Sequence, residues 1–108
     1  MSILKTQGLK LLARNFRTRY GEIDLIMQTI EQLAFVEVRY RRHQHFGHPA
    51  ETVTLIKQRK LIRAAQHYLH RHPIFQMMDY RFDVIAITFP LEHSQVQWIQ
   101  NAFSTPTI

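Results

Sequence analysis

The 108-residue chain contains no cysteine. That excludes disulfides, thiolate metal sites and cysteine nucleophiles, and it fits a cytoplasmic protein. Acidic residues are scarce too, with 8 Asp and Glu against 14 Lys and Arg for a formal charge of +6. A surplus of that sign points to a polyanionic partner, nucleic acid before an anionic membrane. Long apolar runs are missing, so no segment reaches membrane-spanning length, and the N-terminus lacks the form of a signal peptide. With only 3 glycines and 4 prolines the chain has few breaks. No repeat, linker or low-complexity stretch divides it, and residues 1–108 read as one domain.

What the chain does have is an acidic hairpin, Glu22-Ile23-Asp24-Leu25-Ile26 followed by Phe35-Val36-Glu37-Val38-Arg39. Both runs alternate with a period of two, which predicts strands. A turn centred between Ile30 and Glu31 makes antiparallel partners sum to 61. Asp24 then lies opposite Glu37, and Glu22 opposite Arg39, so one patch of sheet carries three carboxylates and a guanidinium. Carboxylates held this close repel unless one takes a proton or a cation bridges them. Asp24, Glu37 and Glu22 are therefore candidate ligands for a hard cation such as Mg²⁺ or Mn²⁺. The plain alternative is the wet face of an amphipathic hairpin, with Arg39 neutralising Glu22. Spacing alone favours the plainer reading.

The rest follows in chain order. Met1 to Leu12 reads as the end of a helix and a turn, anchored by Leu4, Leu11 and Leu12, with Gly8 at the helix C-terminus. Arg14 to Tyr20 alternates and predicts a first strand, turning tightly at Tyr20-Gly21. The loop Gln28 to Gln32 lacks the Asn-Gly or Asp-Gly of a tight hairpin. Arg39 to Pro49 is a basic loop with His43, His45 and His48, whose spacing hints at zinc, but no cysteine or carboxylate completes such a site. Arg41 and Arg42 are candidate phosphate contacts on that loop, with Tyr40 or Phe46 as a stacking surface. Thr54 to His70 predicts a helix capped by Thr54 and halted by Pro73. Its buried stripe is Leu61, Ile62, Ala65, Tyr68 and Leu69. Lys57, Arg59, Lys60 and Arg63 occupy the remaining surface as further candidate nucleic-acid contacts, and an anion is favoured at the helix N-terminus. Arg81 to Ile87 reads as a strand covered on both faces, with Asp83 paired to Arg81 or another arginine. Gln95 to Phe103 reads as a short edge strand.

Taken in order, Arg14-Asn15-Phe16, Gly21-Glu22-Ile23-Asp24-Leu25-Ile26, Phe35-Val36-Glu37-Val38-Arg39, Lys57-Gln58-Arg59, Ala64-Ala65-Gln66-His67-Tyr68-Leu69, Arg81-Phe82-Asp83-Val84 and Asn101-Ala102-Phe103 resemble the YraN family of bacterial proteins. That family is similar to Holliday-junction resolvases and the wider restriction-endonuclease-like nucleases. The resemblance implies an α/β fold, a mixed sheet with helix-strand-strand-strand-helix-strand order and a shortened first helix. It implies that Asp24 and Glu37 are the acidic pair of a Mg²⁺- or Mn²⁺-dependent endonuclease acting on branched or otherwise structured DNA. Glu22 and Gln58 match accessory positions of the motif. Arg39 stands where the family usually has lysine. A guanidinium can clamp phosphate but cannot serve as a base, so the alternative is a non-catalytic nucleic-acid-binding protein that keeps the fold. The partner implied is nucleic acid, foremost DNA. No membrane partner is expected, and a homodimer is left open.

Overall fold

The computed structural model describes residues 8–42, 53–89 and 95–104. Within them, five strands form one mixed sheet in the order β1-β2-β3-β4-β5. The strands are β1 (Lys10–Arg17), β2 (Glu22–Gln28), β3 (Gln32–Arg42), β4 (Asp79–Phe89) and β5 (Gln95–Phe103), and the helix α1 (Leu55–Arg71) joins β3 to β4. β1, β2 and β3 run as an antiparallel meander, β4 lies parallel to β3, and β5 returns antiparallel to β4. This is a mixed α/β architecture. No helix among the described residues is long and apolar enough to cross a membrane.

The sheet is buried at its centre because β3 and β4 are apolar on both faces. Leu33 to Glu37 and Phe82 to Ala86 are buried without interruption, as a strand between two covers requires. One face carries Ile23, Ile26, Leu33, Phe35, Phe82 and Val84, packed against Leu61, Ala64, Ala65 and Tyr68 of α1. Phe35 sits at the middle of an aromatic cluster, within 6.1 Å of the rings of Tyr68, Tyr80 and Phe82. The opposite face carries Leu9, Met27, Ala34, Val36 and Ile85. The helix stripe matches the one expected from spacing, except that Ala64 is fully buried while Ile62 and Leu69 lie at the margin.

The ends of α1 follow from local chemistry. Thr54 accepts the Lys57 N–H with its hydroxyl at 3.2 Å, satisfying one of the donors that a helix N-terminus leaves free. Pro73 cannot continue the helix and opens a short 3-10 turn, Pro73–Phe75. Both turns of the β1–β2–β3 meander are built on threonine. Thr18 and Thr29 each accept two backbone N–H groups within three residues and donate to the carbonyl that closes the turn, Gly21 or Gln32. Such hydroxyl-to-backbone turns do the work that Asn-Gly does elsewhere.

Two expectations need correction: β3 runs through Arg42, so Arg39 to Arg42 are strand and not the start of the basic loop, and the first strand begins earlier than its alternation suggests. The first strand runs from Lys10 to Arg17, not from Arg14 to Tyr20, so Leu11 and Leu12 belong to the sheet and not to a turn. An extra residue between Leu11 and Ala13, and a left-handed Asn15 at φ 50°, interrupt its alternation. A period-two reading therefore picks up the strand late. Gly8 adopts a left-handed conformation at φ 75°. The residues of the expected first helix, Leu4 among them, and the histidines 43, 45 and 48 with Phe46 lie outside the described residues.

Candidate functional site

The β2–β3 ladder pairs Leu25 with Val36, Ile26 with Phe35, Met27 with Ala34 and Gln28 with Leu33, so partners sum to 61 as the alternation predicts. The regular ladder stops there. Beyond it the Asp24 side chain bonds strand β3 directly, with the Val38 N–H donating to Oδ2 at 2.8 Å. This brings Asp24 against Glu37, which points to the α1 face alongside Phe35 and Leu33.

Glu37 is held in an unusual state. Only 6% of its side chain is exposed. One carboxylate oxygen, Oε2, is buried without a hydrogen-bond partner. The Lys57 ammonium, from the first turn of α1, stands 3.4 Å from that oxygen, an ion-pair distance without hydrogen-bond geometry. Burial first, then the hydrogen bond and like charge of Asp24, push the Glu37 carboxyl up to about 7, against the pull of Lys57. One oxygen of the pair thus lacks a donor in the place where two acids meet, with the Lys57 ammonium beside it.

The other sequence-predicted residues distribute around this pair. Glu22 ion-pairs with Arg17 across the β1–β2 ladder at 3.6 Å, with 40% of its side chain exposed. Among the described residues no group of three or more His, Asp or Glu side chains gathers as a metal site, so a pair of carboxylates is brought together and not a trio. Gln58 donates from Nε2 to the Val53 carbonyl at 2.9 Å, tying down the chain that leads into α1. Arg39 lies on β3 two residues beyond Glu37, and Arg41 and Arg42 end that strand. Arg59, Lys60 and Arg63 are exposed along α1. Asp24 also lines a cavity of about 920 Å³ on the face opposite α1, with Lys10, Arg14, Asn15 and Tyr40 among its walls.

Two features escaped the sequence. The first is the reach of Lys57 to Glu37, which depends on how α1 docks and has no local signature. The second is a cationic cluster at the β1–β2 turn. Arg19 donates to the Tyr20 hydroxyl at 2.9 Å, and the guanidinium carbons of Arg19 and Arg63 stand 5.0 and 5.7 Å from the centre of its ring. Tyr20 thereby gathers an arginine of the turn and one of the helix at one place. Gly21 lies directly beneath α1, where a Cβ would come within 3.1 Å of the Lys60 Cβ, so the turn and helix meet closely.

The model of the uncharacterised protein family UPF0102 matches residues 1–87. A UPF0102 protein of Vibrio parahaemolyticus is 50% identical over 101 residues, covering 94% of this chain and 82% of its own. One from Coxiella burnetii (strain RSA 331) is 48% identical over 99 residues, covering 92% of this chain and 80% of its own. One from Stutzerimonas stutzeri is 47% identical over 102 residues, covering 94% and 85%. The chain belongs to the UPF0102 family, which is the YraN family.

Proposed function

We propose that the chain is a metal-dependent endonuclease of the restriction-endonuclease-like class, acting on branched or otherwise structured DNA. The observation that carries this reading is the pairing of Asp24 with a buried Glu37 whose Oε2 has no hydrogen-bond partner. A carboxylate left so incompletely satisfied is costly unless something completes it. The donor set fits Mg²⁺ or Mn²⁺, which prefer hard oxygens and commonly take only one or two protein carboxylates, with water and phosphate completing the sphere. Asp24 and Glu37 would hold the ion, with Glu22 a more distant accessory. When bound, such an ion polarises a phosphodiester and lowers the pKa of water.

The chain's own residues supply the remainder. The two carboxylates are fixed by adjacent strands, and the Val38 N–H bond keeps Asp24 oriented. Arg39 can clamp phosphate in two places. Gln58 holds the backbone at the start of α1, and the N-terminal end of a helix favours an anion such as phosphate. Arg41, Arg42, Arg59, Lys60 and Arg63 would track the phosphate backbone on either side. The binding-only reading is favoured by one residue, Arg39, because a guanidinium cannot take up a proton from water.

Mn²⁺ titration tests the metal: a site in the wild type that disappears in both Asp24→Ala and Glu37→Ala is expected, and unchanged binding in both removes the metal. Cleavage of linear, flapped and four-way DNA with Mn²⁺ then separates the two readings. Metal binding with every substrate left intact selects the binding-only protein.

A further inference from the structure

We propose that Lys57 is an internal stand-in for the metal: its ammonium neutralises the Asp24–Glu37 pair until a divalent cation displaces it from Glu37 Oε2. The proposal rests on the reading that this pair binds metal. It concerns a residue that sequence grouped with the DNA-contacting cations.

Three observations carry it. Asp24 Oδ2 is already engaged by the Val38 N–H at 2.8 Å, whereas Glu37 Oε2 accepts no hydrogen bond. Lys57 stands 3.4 Å from that oxygen, close enough to neutralise it but out of line to donate to it. The lysine is also free to leave, since 40% of its side chain is exposed while the glutamate beneath it is 6% exposed. The backbone of Lys57 is fixed by the Thr54 cap, so movement falls to its flexible stem. The first turn of α1 carries no acidic residue to hold the ammonium elsewhere on the helix.

The chemistry makes the two cations exclusive. A small divalent ion binds carboxylate oxygen at about 2.0–2.1 Å, nearer than an ammonium nitrogen comes, and carries twice its charge. Beside one buried oxygen the two repel strongly. Metal uptake therefore sends Lys57 outward. Its charge is spent on the acid pair in the metal-free protein and becomes available to a phosphate only in the metal-bound one.

The test is Mn²⁺ affinity at one fixed pH, with Lys57→Met as the main variant because methionine preserves the apolar stem without the charge. Lys57→Met should bind Mn²⁺ at least roughly tenfold more tightly than wild type, a modest share of what a close charge pair supplies. Its metal-free form should unfold at a lower temperature than wild type, and saturating Mn²⁺ should close that gap. Lys57→Arg keeps the charge and should stay within about twofold of wild-type affinity. Equal or weaker binding by Lys57→Met overturns the proposal, provided Glu37→Gln abolishes the site in the same titration. If neither wild type nor Lys57→Met binds Mn²⁺, the metal reading fails and takes the proposal with it. Should Lys57→Met not fold, Lys57→Gln carries the same expectation.

Discussion

Two buried carboxylates sit on adjacent central strands, and they are treated in opposite ways. Asp83 on β4 is fully buried and fully satisfied. Its Oδ1 accepts from Arg81 Nε at 3.0 Å and from the Asn101 N–H at 2.9 Å, and its Oδ2 accepts from the Trp98 indole at 2.9 Å. Glu37 on β3 is nearly as buried, yet one of its oxygens has no donor and its neighbouring cation is half out in solvent. The two face opposite sides of the sheet, since Asp83 pairs with Val36 and Glu37 with Val84. A buried acid tied by donors from three residues is architecture, because it fastens edge strand β5 to the sheet. A buried acid left short keeps one oxygen without a donor, and that oxygen is the one proposed to meet a cation. Satisfaction, more than burial, separates the structural carboxylate from the one proposed to bind metal.

The comparison can be broken most forcefully at Asp83. Asp83→Ala leaves a guanidinium, an indole N–H and a backbone N–H without their acceptor in a closed place, and should destabilise the protein by about 3–5 kcal/mol. Urea unfolding measures it. A loss under about 1 kcal/mol would mean that Asp83 is no better anchored than an average surface ion pair.

The next effect belongs to Glu37 and depends on pH. Its carboxyl titrates near 7 in the folded protein and 4.5 as a free side chain. A raised value means the folded state holds the proton more tightly, so the stabilisation is complete below pH 4.5 and is lost as pH climbs through 7. Metal-free protein should lose on the order of 2–3 kcal/mol across that window. Glu37→Gln should remove this slope, and the difference between the two curves cancels the titration of the histidines. Parallel curves would show that Glu37 is ordinarily solvated.

The smallest effect sharpens the contrast. Trp98→Phe deletes one donor to Asp83 while keeping most of the ring, and should cost about 1–2 kcal/mol in the same urea experiment. No loss would show that the remaining donors already satisfy the carboxylate.

Much of this contrast was hidden in the sequence. The register of the hairpin from Leu25 to Gln28 was readable, because alternation and a short loop leave little freedom. The expected pairings of Asp24 with Glu37 and Glu22 with Arg39 lie beyond the ladder, and Ile23 and Leu25 fall on opposite faces. The threonines that close both turns were also present in the letters, at the first position of each loop, but a search for Asn-Gly passes over them. The start of β1 was misread because Asn15 and an extra residue break the period there. That Asp83 would meet Arg81 was legible from their spacing on one strand. That Trp98 and Asn101 would complete it was not, since both arrive from β5, Trp98 from its regular ladder and Asn101 from its bulge. The Lys57 contact had the same character: a helix position known to the turn, and a partner that only docking could supply.

The irregularities of the outer strands have one more consequence. In the described sheet β1 and β5 are the borders, and each carries a bulge and an asparagine in the left-handed conformation, Asn15 at φ 50° and Asn101 at φ 52°. A straight, flat border would offer a row of free amides and carbonyls to any extended chain, its own copies included. Bending both borders out of register spoils that template at each end. Among the described residues the two borders are built against extension, so two copies that met at either one would do so through side chains and not by continuing the sheet.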